Sequence, residues 1–238
     1  MDYVDIIRHF RDSEADPATP LARQMLRGIR DPLTWNELLP LEPDKHVVLI
    51  AASGLGKSTE LRQQARRLRR EERHAVLVSA RELVAETRWE DALEQDELAA
   101  FEAWQATKER AVVFVDGVDE LLLVGREFNA LVRRMSRLLG EHRILCQLVL
   151  SARGGWSPKH AAAIHAGVLN HESSDCLREV TFEALDQEAV RRLATAAGSD
   201  AIDLFMEAYG KREIERRVSV RPMDIPVLVH RWNRDRAL

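Results

Sequence analysis

Cysteine is almost absent from this 238-residue chain: Cys146 and Cys176 are its only two, which excludes a fold held together by a disulfide framework. Both lie in apolar or mixed stretches, where a reduced, buried thiol is expected. Aromatic residues are scarce at 5%, and no array of them offers a base-stacking platform, so Trp35 and Trp156 read as packing residues. No apolar run approaches the roughly 20 residues that span a bilayer, and Met1-Asp-Tyr-Val-Asp carries acids where a secretory signal carries bases. Charge of one sign is also lacking. With 31% charged residues the formal net charge is only -4, so nothing in the overall balance calls for nucleic acid or an acidic membrane. These absences predict a soluble, cytoplasmic protein with no membrane partner.

What is present is enough apolar residue, 45%, to bury a substantial core. Four short runs rich in Val, Ile and Leu, at His46–Ala51, Ala75–Ser79, Ala111–Val115 and Ile144–Ser151, read as strands covered on both faces, with a weaker fifth at Leu177–Phe182. Between them lie stretches with apolar residues at helical spacing. Ser58–Arg70 carries Leu61, Ala65 and Leu68, and Glu127–Leu139 carries Phe128, Leu131, Met135, Leu138 and Leu139. Asp91–Arg110 also reads as helix. Alternating strands and helices predict an α/β fold with a central, mainly parallel five-stranded sheet flanked by helices. Before it, Asp2–Phe10 and Pro20–Gly28 read as helices, and the boundary falls between Pro40 and Pro43. After it, Asp186–Ala197, Asp200–Tyr209 and Asp224–Trp232 read as a small helical bundle. The expected division is an N-terminal segment over 1–43, a core over 44–183 and a C-terminal helical segment over 184–238.

Chemistry enters at Ala51-Ala52-Ser53-Gly54-Leu55-Gly56-Lys57-Ser58, which has the spacing of a phosphate-binding loop, with Ala51 where the first glycine usually stands. The loop follows the strongest strand and opens a helix, the setting that separates a working loop from a chance match. Gly54 and Gly56 let backbone N–H groups surround phosphate oxygens, Lys57 adds charge, the Ser58 hydroxyl is a magnesium ligand, and Thr59 lines the adjoining site. In Val112-Val-Phe-Val-Asp116-Gly-Val-Asp119-Glu120 an acid ends an apolar strand, where ligands collect in open α/β sheets. Asp116 is therefore the magnesium-site carboxylate, acting directly or through a coordinated water. Asp119 and Glu120 follow as possible bases for an attacking water, with Glu120 favoured, against the alternative of acids placed on a helix dipole. Arg153, after Leu148-Val-Leu-Ser-Ala, is either a γ-phosphate sensor or a structural ion pair. P-loop NTPase chemistry with ATP or ADP and Mg2+ follows, and without an Asn-Lys-x-Asp guanine reader ATP is preferred to GTP.

These motifs resemble the NACHT branch of the STAND class of P-loop ATPases, most closely in Phe114-Val-Asp-Gly-Val-Asp-Glu-Leu121, and also in Ser151-Ala-Arg153 and Val180-Thr-Phe-Glu-Ala-Leu-Asp-Gln-Glu-Ala-Val190. The resemblance runs from about Lys45 to Trp232. It implies a slow ATPase working as a nucleotide-gated signalling switch in a defence or regulatory pathway, closed with ADP and associating with itself or a protein partner when ATP is bound. It also implies a helical-domain proline beside the nucleotide base, for which Pro222 and Pro226 are the positions, although each reads first as a plain helix-start proline. The chain is short for a switch with its own effector and sensor. The alternatives are an AAA+-like ATPase that remodels or loads nucleic acid or protein, and a nucleotide-binding scaffold without hydrolysis. His160, His165, His171 and Cys176 match no zinc spacing. The basic run Arg66–Arg73 offers a contact for nucleic acid, but it reads first as a solvated helix end, favourable on its own dipole and needing no partner.

Overall fold

The computed structural model describes residues 8–12, 33–39, 45–122, 125–154, 156–169, 176–216 and 221–235. In chain order these form β1 (Phe10–Asp12), α1 (Trp35–Leu38), β2 (His46–Ile50), α2 (Lys57–Arg70), β3 (His74–Ser79), α3 (Ala80–Ala85), α4 (Gln95–Gln105) and β4 (Ala111–Asp116). There follow α5 (Val118–Leu122), α6 (Gly125–Leu139), β5 (Cys146–Ala152), α7 (Pro158–Ile164), β6 (Leu177–Phe182), α8 (Gln187–Ala196), α9 (Ile202–Arg216) and α10 (Ile225–Asp235). The sheet has six strands in the order β1-β6-β2-β5-β4-β3. Its last five are parallel, and β1 pairs antiparallel with β6, Phe10 opposite Phe182 and Asp12 opposite Val180. This is an α/β architecture, a mainly parallel sheet flanked by helices.

The five parallel strands are those expected, and the sixth corrects the sequence reading. Phe10, taken as the end of a helix, instead starts an edge strand, because its ring fills a gap between Trp35, at a centroid distance of 4.7 Å, and Phe182, at 5.3 Å. Arg178 then ties the edge down by donating to Asp12 from Nε at 2.6 Å and from Nη2 at 3.1 Å. The expected helix Pro20–Gly28 and the Pro40 to Pro43 boundary lie outside the described residues. The stretch expected as one helix over Asp91–Arg110 is divided: a single 3-10 turn at Glu90–Ala92 precedes α4.

Alternation along each strand explains why both faces are covered. Val47, Leu49, Val112, Phe114 and Val149 point into one core with Leu61, Ala65 and Leu68 of α2. Val48, Val113, Val115, Leu148 and Leu150 point into the other with Leu131, Met135 and Leu139 of α6 and with Phe101 and Trp104 of α4. A third cluster, Val190, Phe205, Tyr209, Ile225, Val229 and Trp232, gives α8, α9 and α10 a core of their own. Leu61 is fully buried, so its truncation to Ala would cost about 2–5 kcal/mol. Among the described residues no helix is long and apolar enough to cross a membrane.

Candidate functional site

The phosphate loop leaves β2 after Ala51, whose amide still pairs with the Ala152 carbonyl at 3.0 Å. Ala51 thus belongs to the sheet ladder and needs no left-handed backbone, which is why alanine serves where a glycine is usual. The turn itself needs glycine, since Gly54 and Gly56 sit at φ +81° and +85°. Gly56 caps α2, and the first helical bond runs from the Glu60 amide to the Gly56 carbonyl at 2.9 Å. The amides that start α2 at Lys57, Ser58 and Thr59 accordingly have no intrahelical acceptor and suit an anion. Lys57 is buried, donating from Nζ to the carbonyls of Ala51 at 2.6 Å and Ala52 at 3.1 Å, while Ala52, Ser53, Ser58 and Thr59 are exposed.

Burial pulls the Lys57 ammonium below the usual lysine pKa, and its charged neighbours are Asp119 and Asp116, which oppose the shift, and Arg153, which adds to it. The loop lysine and the acids of the next strand motif therefore share one electrostatic site. Topology causes this. The loop strand β2 and the acidic strand β4 both flank β5, so their C-terminal ends meet over Ser151 and Arg153.

Asp116 ends β4 half-buried, and Ser151, fully buried, donates from Oγ to its Oδ1 at 2.5 Å. The same Oγ accepts the Gly117 amide at 2.9 Å, fixing the turn that Gly117 makes at φ +78°. Sequence reasoning missed Ser151; the signal was a lone hydroxyl among apolar residues at the end of a buried strand, next to the acid's strand. Asp119 is 8% exposed and paired with Arg153, Nε to Oδ2 at 2.9 Å. Of the two readings of Arg153, the structure shows the ion pair. Glu120 is exposed beside Gly117, to whose carbonyl its amide donates at 3.1 Å, and its carboxylate makes no hydrogen bond or ion pair among the described residues.

Two further segments touch the loop. Arg8 donates to the Leu55 carbonyl at 2.7 Å while its guanidinium lies 4.0 Å over the Phe182 ring. From the C-terminal bundle, Met223 and Arg221 lie directly on Gly54, where an added Cβ would collide with the Met223 sulfur. Pro222 stands between them at the start of a 3-10 turn, in which Arg221 chelates Asp224 with Nε and Nη2 at 3.0 and 3.1 Å. Pro226 lies one turn further on, inside α10.

The donors for a magnesium ion would be the exposed Ser58 hydroxyl and the Asp116 oxygen not engaged by Ser151. Both are hard oxygen ligands, too few for a closed cage, which suits an ion that keeps waters and is shared with substrate phosphates.

No family model and no curated protein matches this chain. Solved structures that resemble it include the Aeropyrum pernix ORC1 protein in complex with DNA, at 17% identity and a TM-score of 0.40, covering 96% of this chain and 71% of that one. The replication initiator DnaA bound to AMPPCP and single-stranded DNA aligns at 13% identity and TM-score 0.45, over 91% of this chain and 61% of that one. The FIGL-1 AAA domain in complex with ADP aligns at 14% identity and TM-score 0.46, over 92% and 73%. This chain thus spans under two thirds of the DnaA chain. Likeness at this level carries no correspondence of residues, so function is read from the site's own geometry.

Proposed function

We propose that this chain binds ATP on the Ala51–Ser58 loop and hydrolyses it slowly, as a nucleotide-gated switch of the STAND and NACHT kind. The observation that supports it most is the convergence of Lys57, Asp116, Asp119 and Arg153 on one end of the sheet, beside the unpaired amides that open α2. In this reading those amides and Lys57 hold the β- and γ-phosphates. Magnesium, when bound, neutralises phosphate charge; Ser58 and Asp116 hold it, and Ser151 fixes the Asp116 carboxylate. Glu120, exposed at the turn, orients and deprotonates the attacking water. Arg221 and Met223, which lie on Gly54 on either side of Pro222 in the sequence, let the C-terminal bundle register whether the site is filled.

The switch reading has a cost built into it that fits slow turnover. Lys57 must exchange two backbone carbonyls for phosphate oxygens, and Arg153 must leave Asp119 before it can reach a γ-phosphate. Calorimetry with ATP and magnesium should show binding that Lys57→Ala weakens at least about tenfold, a loss of some 1.4 kcal/mol. Sedimentation with a non-hydrolysable ATP analogue should show association that ADP does not produce. Unchanged affinity in the variant overturns the loop assignment. Binding without nucleotide-dependent association, together with turnover stimulated by a nucleic acid or protein substrate, would replace the switch with an AAA+-like remodeller.

A further inference from the structure

The outer face of α2 carries an arrangement that neither the fold nor the nucleotide site explains. Arg62, Arg66 and Arg70 are all exposed and recur every four residues, so they form one stripe about 12 Å long on the solvent side of the helix. Their neighbours are accounted for. Arg67 pairs with Glu71, and Arg69 is held by Glu97 through two bonds of 2.8 and 2.9 Å. Among the described residues none of Arg62, Arg66 and Arg70 makes an ion pair. Arg66 and Arg70, with the pinned Arg69 and with Asp96 of α4, line an open groove.

Helix energetics do not account for the stripe. The helix dipole rewards cations only in the last turn, which covers Arg70 but neither Arg62 nor Arg66. Like charges four residues apart repel each other, costing a few tenths of a kcal/mol per pair, and the stripe contains two such pairs. Overall composition does not account for it either, since the chain's net charge is -4. Arg66 and Arg70 also stand apart from the phosphate site, about 14 and 20 Å along the helix from Lys57, while Arg62, about 8 Å away, is the end of the stripe nearest it.

We propose that this face docks the phosphodiester backbone of a nucleic acid. A row of arginines with no ion-pair partner among the described residues matches a row of phosphates in charge and in its one-dimensional form. Arginine supplies the planar donor fork that phosphate oxygens take in pairs. Arg69, already fixed on Glu97, gives the groove a rigid wall. The contact is to backbone, so it is sequence-independent and strongly salt-dependent, with dissociation constants of about 10⁻⁴ to 10⁻⁶ M at physiological salt.

Fluorescence anisotropy with short labelled single- and double-stranded oligonucleotides tests this, measured without nucleotide so that the outcome is independent of whether the loop binds ATP. Between about 50 and 200 mM salt, the parent protein should show a linear fall of log affinity with log salt. The triple variant R62Q/R66Q/R70Q, built from a good helix former, should lose at least tenfold in affinity. It should also flatten the slope by about 2.7 on duplex or about 2.1 on single strand, the expectation for three lost phosphate contacts. The single variant R66Q should flatten it by about one contact and serves if the triple variant fails to fold. R81Q/R133Q/R137Q removes the same charge from exposed arginines on α3 and α6 and should leave the slope within about one contact of the parent. No binding by the parent protein, an equal loss in the control variant, or a stripe variant with unchanged slope overturns the proposal. So does binding of polyglutamate with no binding of oligonucleotide, which would make the partner an acidic protein.

Discussion

Replacing Ser151 by alanine is the most informative single change at the phosphate end of the sheet. Its hydroxyl is fully buried, donates to Asp116 at 2.5 Å and accepts the Gly117 amide at 2.9 Å. A hydrogen bond to a charged group contributes about 1.5–3 kcal/mol, and an amide left without an acceptor adds to the loss, so Ser151→Ala should cost about 2–4 kcal/mol. At about 2–4 °C per kcal/mol for a chain of this length, the melting temperature should fall by roughly 4–16 °C. Function should change as well, because the Asp116 carboxylate is no longer held in one orientation. Calorimetry should show the affinity for ATP with magnesium falling about tenfold, while affinity in the presence of a chelator stays the same. Ser151→Thr separates the two effects. It keeps the hydroxyl but forces a methyl group into a site with no exposed surface, at about 1–3 kcal/mol, so magnesium dependence should return without full stability. Ser151 is then a positioning residue for Asp116. If Ser151→Ala keeps the parent's magnesium dependence, or Thr fails to restore it in folded protein, the hydroxyl only packs the strand end.

Two further predictions concern charge. Burial sets the Lys57 pKa below the usual lysine value, so its ammonium is lost as pH rises through that lowered value instead of the ordinary one. Triphosphate affinity should therefore fall on the alkaline side before an ordinary lysine would discharge, and Lys57→Ala should remove that limb; a parent affinity flat up to the usual lysine pKa refutes it. Glu120→Gln should cut turnover about 10²-fold while ATP still binds, and Asp119→Asn should cost less, because Asp119 is already engaged by Arg153. The reverse ranking in steady-state assays would move the base role to Asp119.

Four of the parallel strands were legible because each is a short apolar run buried on both faces, and the weaker, half-buried β6 falls on Leu177–Phe182 as expected. The loop was legible because its glycines are required at positive φ. The edge strand β1 was not: three residues carry no period, and what makes Phe10 a strand residue is its contact with Trp35 and Phe182, from far along the chain. The same holds for the site. Asp116 and Lys57 announce themselves by spacing, whereas Ser151 gains its role only because strand order places β5 between their two strands, and strand order is not written in any local pattern.

Arg153 shows how that limit works on a residue the sequence did single out. Position after a buried strand puts the guanidinium at the right edge of the sheet, but it does not choose between a phosphate and a carboxylate as partner. The choice depends on Asp119, which α5 carries in its first turn and which is buried too deeply to remain unpaired at low cost. An ion pair with one partner almost fully buried and the other half exposed is asymmetric: leaving Asp119 alone is costly, while releasing Arg153 to water costs little. Any phosphate that draws Arg153 away therefore leaves Asp119 short of a cation, and the release of the guanidinium carries a cost set by that carboxylate.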